Sequence, residues 1–98
     1  MHTLIIKLGA AGDVVRTTPL LRRLDGQVSW VTASSNKPLL GALEKTRADL
    51  RIVEWAERSI LVGQRFDLVI NLEDDLEIAG ILHSISTTRL FGAFENAE

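Results

Sequence analysis

Cysteine is absent from the chain, which excludes a disulfide, a thiol nucleophile and a zinc–thiolate site. Histidine is scarce: His2 and His83 are too few and too far apart to read as a metal cluster, so no metal is expected. No apolar run approaches the roughly 18 residues of a membrane-spanning helix, and a transmembrane segment is not expected. The N-terminus turns apolar at Leu4 and meets Gly9 soon after, without a basic leader, which does not fit a signal peptide. A cytoplasmic location is the resulting expectation. Positive charge is not in excess: the net charge of −2 gives no general reason to expect nucleic acid or an acidic membrane as partner. Internal repeats, linkers and low-complexity stretches are missing.

What is there is 98 residues, 46% hydrophobic and 24% charged, which predicts one small globular domain whose core has little margin. Apolar runs predict strands at Thr3–Leu8, Val28–Ala33, Leu50–Trp55, Phe66–Leu72 and Thr87–Phe91. Between them, helical spacing covers Asp13–Leu24, with Val14, Val15, Leu20, Leu21 and Leu24 inward. Pro19 either kinks that helix or starts a new one capped by Thr18. Asp25-Gly26 ends it. Ser34-Ser35-Asn36 supplies cap chemistry for a second helix running to Thr46, with Leu39, Leu40 and Leu43 inward. A weak helix is expected at Glu57–Gly63 and a fourth at Asp75–Ser86. Strands alternating with helices predict an α/β fold: a Rossmann-like parallel five-stranded sheet of order 3-2-1-4-5, with helices on both faces.

In such a sheet the binding crevice lies beyond the C-terminal ends of the strands, where the order reverses between strands one and four. Two polar segments meet there, Lys7–Asp13 and Asn71–Asp75. Lys7 interrupts an apolar strand and needs either a carboxylate (Asp13, Glu73 or Asp74) or an exit to water. Gly9-Ala10-Ala11-Gly12 is neither the dinucleotide fingerprint nor a Walker A loop. It reads as a tight strand-to-helix turn in which glycine frees the backbone.

Asp13 is either a helix N-cap or a base that takes a proton from a substrate hydroxyl. Its carboxylate competes with any anion for the amides of that turn, so the turn is not expected to seat a diphosphate. Arg16, one turn on, can pair with Asp13 or face an anionic ligand. Arg22 and Arg23 read as a solvated face. Glu73-Asp74-Asp75 either caps the fourth helix or, with Asn71, touches a polar ligand. Trp30 and Trp55 read as packing residues.

The run IIKLGAAGDVVRTTPLLRRL resembles the N-terminal signature of bacterial glycosyltransferase family 9, the heptosyltransferase-like enzymes of lipopolysaccharide core synthesis. FDLVINLEDDLEIAGIL and TRLFGA are similar to the next two strand segments of that family. The most specific part is G-D-x-x-x-T-T-P at Gly12–Pro19. The resemblance implies a GT-B type fold of two Rossmann-like domains, of which this chain is the N-terminal, acceptor-side one; the donor-binding C-terminal domain is a missing partner. It implies Asp13 as general base, with Lys7, Gly9, Gly12, Arg16, Thr17, Asn71, Glu73 and Asp74 as substrate-binding residues. It also implies a nucleotide sugar (ADP-heptose-like) as co-substrate, no separate cofactor, and a glycan or glycolipid acceptor. A place at the inner face of the membrane would then be peripheral.

The competing reading is a non-catalytic Rossmann-like module that associates with a partner protein or with its own second copy, as a homo-oligomer, through an apolar surface. A flavodoxin-like carrier or a phospho-receiver fits poorly. Asp13 would meet the flavin phosphate, and a receiver needs an acid pair after strand one.

Overall fold

The computed structural model describes residues 1–9, 11–73 and 85–92; of Ala11 and of residues 86–92 it describes the backbone. The chain runs β1 (His2–Ile6), α1 (Ala11–Thr17), a 3-10 segment (Thr18–Arg23), β2 (Gln27–Thr32), a short 3-10 turn (Ser34–Asn36), α2 (Lys37–Thr46), β3 (Leu50–Glu54), a 3-10 segment (Trp55–Leu61), β4 (Arg65–Asn71) and β5 (Ser86–Gly92). Asp74, residues 75–84 of the expected fourth helix, and residues 93–98 lie outside the described residues.

The strands form one sheet of order β3-β2-β1-β4-β5, and every neighbouring pair is parallel. The α/β class and the parallel sheet are as the alternation of segments predicts. β1 is central: Ile5 stands opposite Trp30 of β2 on one side and Ile70 of β4 on the other. Alternation along each strand sends side chains to two cores. On one face Ile5, Trp30, Ile52 and Ile70 pack under Val14, Leu21, Leu24 and Leu40 of the helical connections. On the other, Leu4, Ile6, Val31, Val53 and Val69 pack with Leu61 and Phe66. Burial on both faces is what the near-continuous apolar strands require.

Connections follow from this. The chain passes from β1 to β2 to β3 over the first face. It returns across the second face through Trp55–Leu61, the hand expected of parallel crossovers. The order therefore reverses between β1 and β4, whose C-terminal ends stay paired through Ile6 and Asn71.

Helix lengths differ from the expectation. The single helix over Asp13–Leu24 is an α-helix of seven residues followed by a 3-10 segment with Pro19 in its first turn. Proline has no N–H to continue the α ladder, so the helix ends before it. Thr17, not Thr18, takes the cap position, and no side-chain cap forms. The hydroxyls of Thr17 and Thr18 instead donate back to Asp13 O and Val15 O. The break turns Val15 outward, to 52% exposure. Leu39 is likewise exposed rather than inward. The weak helix at Glu57–Gly63 is a kinked 3-10 segment that begins earlier, at Trp55.

β3 is an edge strand, and its backbone is partly covered by its own chain. Leu50 N donates to Arg47 O at 3.1 Å, and Ile52 N donates to the Glu44 carboxylate at 2.8 Å. Just before β3, Arg47 draws in the carbonyls of Leu21, Leu24 and Gly26. Among the described residues no helix is long and apolar enough to cross a membrane.

Candidate functional site

The C-terminal ends of β1 and β4 bring two expected segments together. β1 ends one residue before Lys7, although Lys7 N still donates to Val31 O at 3.1 Å. The Lys7 ammonium turns towards β4 and meets Glu73 Oε2 at 3.2 Å; both side chains are largely buried, at 17% and 19% exposure. Among the described residues, the carboxylate that meets Lys7 is Glu73 and not Asp13.

The same Glu73 oxygen accepts from Leu8 N at 3.0 Å and Gly9 N at 3.2 Å. An ammonium and two backbone amides therefore converge on one carboxylate oxygen. Asn71, buried at the end of β4, accepts from Glu73 N through Oδ1 at 3.0 Å and sets the turn that aims the carboxylate. The expectation that Asp13 keeps anions from these amides is corrected in its agent: Glu73 holds them, because it projects from the neighbouring strand end directly over the turn.

Gly9 has an identifiable reason to be glycine, and it is not backbone freedom. Positive φ occurs only at Gly26 and Gly63 among the described residues. A Cβ at Gly9 would lie 3.3 Å from Lys7 Nζ and 3.4 Å from Glu73 Oε2, so the missing side chain makes room for the ion pair. At Gly12 a Cβ would meet only the Arg16 guanidinium at 3.6 Å, an ordinary contact.

Asp13 lies within the first turn of α1, not at its cap position. Its carboxylate pairs with Arg16 at 3.1 Å; the side chains are 53% and 79% exposed. Arg16 also donates from Nε to Gly12 O at 3.4 Å. The plain N-cap reading is thereby corrected. Asp13 stands half open to solvent on the rim, beside a more exposed arginine. Such a pair is worth well under about 1 kcal/mol, so a substrate displaces it at little cost. Thr17, expected to bind substrate, donates its hydroxyl to Asp13 O at 2.8 Å. Arg22 and Arg23 are solvated as expected.

Lys7, Gly9, Asn71 and Glu73 thus form one cluster. Gly12, Asp13, Arg16 and Thr17 lie along the first turns of α1. Comparison with protein-family models, curated proteins and solved structures finds no match. The cluster is therefore read on its own geometry.

Two participants were not visible in the sequence. Asn36, expected as a helix cap, makes no cap hydrogen bond. Its amide is buried and donates from Nδ2 to Leu8 O at 2.9 Å and Gly9 O at 3.0 Å. Trp30 is a packing residue as expected, but its Nε1 also donates to Lys7 O at 3.3 Å. Trp55 stacks under the Arg58 guanidinium, 4.4 Å from its ring centre. Among the described residues no group of acids and histidines is placed to hold a metal.

Proposed function

We propose that this chain is the acceptor-side domain of an inverting glycosyltransferase of GT-B type, acting on a glycan or glycolipid hydroxyl. Asp13 takes the proton from that hydroxyl, and the oxygen attacks the anomeric carbon of a nucleotide-linked, heptose-like sugar. The nucleoside diphosphate leaves into a donor-binding domain supplied by the rest of the enzyme. One observation carries the reading: Asp13 is a half-exposed carboxylate on the rim of the β1 turn, while the amides of Leu8 and Gly9 are taken by Glu73. A carboxylate in that position suits a neutral hydroxyl, and an amide pair already filled by an anion suits a diphosphate poorly. The Gly12–Pro19 run supports the same assignment. Lys7 and Glu73 then act beneath the acceptor and not on the donor.

The test is Asp13→Asn in a polypeptide carrying this chain with its donor domain. Turnover should fall by at least about 100-fold, the lower end of what a general base contributes, with donor binding and folding retained. Near-normal turnover would remove Asp13 from the chemistry.

A specific feature favours a second reading, a module for association. Leu20, Leu68, Ile70 and Leu72 line a wholly apolar concavity of about 360 Å³ beside β4. Light scattering on the purified chain separates the two: a strict monomer across the micromolar range argues against association.

A further inference from the structure

Six backbone polar groups lie between Lys7 N and Gly9 O, and every one is held by another element. Val31 O takes Lys7 N. Trp30 Nε1 gives to Lys7 O. Glu73 Oε2 takes both Leu8 N and Gly9 N. Asn36 Nδ2 gives to both Leu8 O and Gly9 O. A surface turn does not need this, because water satisfies such groups without ordering any side chain. The partners come from both flanks, Asn36 beyond β2 and Glu73 beyond β4. They fix the turn against both neighbouring strands at once. Each is itself held: Asn36 lies within 3.4 Å of Thr32 Oγ1, and Glu73 is tied to Lys7 and Asn71.

We propose that Asn36 and Glu73 are positioning residues. They pin Leu8 and Gly9 between β2 and β4 and so set where the turn delivers Asp13. The assignment of Asp13 as base is the reading on which this rests. The role requires neither residue to touch substrate: Asn36 is buried, and one Glu73 oxygen serves three donors. Side-chain restraint of this density belongs where a reacting group must be held in place, since a misplacement of about 1 Å costs on the order of 100-fold in rate.

The experiment has two arms. The first uses the ¹⁵N-labelled chain and needs no activity. In Asn36→Ala, which frees the carbonyls of Leu8 and Gly9, hydrogen exchange at the amides of the same two residues, still bonded to Glu73, should quicken about tenfold as the turn loosens. Amide resonances should move as far as Gly12 and Asp13 while those of β3 stay. Shifts that stop at Gly9 overturn the proposal. If Asn36→Ala does not fold, Glu73→Ala answers the same question from the other flank.

The second arm measures sugar transfer by the polypeptide that carries this chain with its donor domain. Asn36→Ala should lower kcat about 100-fold and leave the KM for the donor unchanged while circular dichroism shows the same folded fraction as the unaltered enzyme; a drop in kcat that only tracks a smaller folded fraction overturns the proposal. Glu73→Gln, whose amide oxygen still accepts from both backbone amides, should keep most of kcat, whereas Glu73→Ala should not. A Glu73→Gln variant as inactive as Asp13→Asn overturns the proposal and makes Glu73 an acid–base group. If the unaltered enzyme transfers no sugar, the transferase reading falls, and the exchange arm alone decides the positioning.

Discussion

The two ends of β1 are built differently. At its exit, three consecutive residues have all their backbone groups held by side chains and strands on both sides. At its start, hydrogen bonds are fewer and a close steric fit joins them: His2 N donates to Asp67 Oδ2 at 2.7 Å. Gln27 N donates to Met1 O at 2.9 Å, and Gly26 closes against Met1 with φ +79°, where a Cβ would stand 2.2 Å from Met1 O. One residue further in, Thr3 is fully buried, and its hydroxyl has no partner among the described residues. The start tolerates an unsatisfied polar atom; the exit leaves no backbone group unmatched. Directional restraint is densest where Asp13 is carried, and the opposite end combines fewer hydrogen bonds with the close fit of Gly26 against Met1.

The largest way to break that contrast is at Gly26. Gly26→Ala meets both a left-handed backbone and a main-chain oxygen, and should cost about 3 kcal/mol. Gly63→Ala shares the left-handed φ of +81° but meets nothing within 4 Å, and should cost only about 1 kcal/mol. Urea unfolding of the two variants checks this. Equal losses would show that strain, and not the fit against Met1, sets the start of β1.

A smaller effect of opposite sign is expected at Thr3. Thr3→Val replaces a buried hydroxyl that has no partner by a methyl of similar shape, and should stabilise by up to about 1 kcal/mol. A rise in melting temperature is the readout. Destabilisation would mean that the hydroxyl is matched after all and that the start is as carefully satisfied as the exit.

The smallest effect is a pH dependence. His2 Nε2 lies 3.1 Å from Ser29 Oγ, and its ring packs 4.5 Å from that of Phe66. Burial lowers its pKa below the ordinary 6.5, with Asp67 opposing. The unfolded chain therefore takes up this proton first as pH falls. Stability is full above 6.5 and declines as pH drops through the lowered folded value. His2→Gln should flatten the part of the pH profile below the ordinary 6.5 that belongs to this ring. An unchanged profile would remove His2 from it.

The strands were legible because Leu4–Ile6, Val28–Val31 and Val69–Ile70 are apolar on both sides of the alternation, which a doubly covered parallel sheet demands. The helix lengths were less so. Pro19 announced a break, but the spacing of Leu20, Leu21 and Leu24 suits a 3-10 segment as well as an α-helix, and it did not foretell that Val15 would face outward. In the site, Lys7 and Glu73 could be read because a charged residue in an apolar strand requires a partner near its strand end. Asn36 could not. An asparagine just before Lys37-Pro38 has the local pattern of a cap, and only the approach of β1 to β2 reveals two carbonyls within its reach. The approach of β1 to β4 explains Gly9, whose missing Cβ makes room for the Lys7–Glu73 ion pair.

The Glu44 carboxylate on Ile52 N has a meaning for other molecules. Seen by another extended peptide, the outer border of β3 offers a hydrogen-bond pattern with one donor already used and a negative charge standing over it. A strand adding to this border would have to displace Glu44 and bury its charge or leave Ile52 N without a mate. The sheet is therefore finished chemically on that side. A stack of copies growing edge to edge would meet a barrier there that an alanine at position 44 would lower.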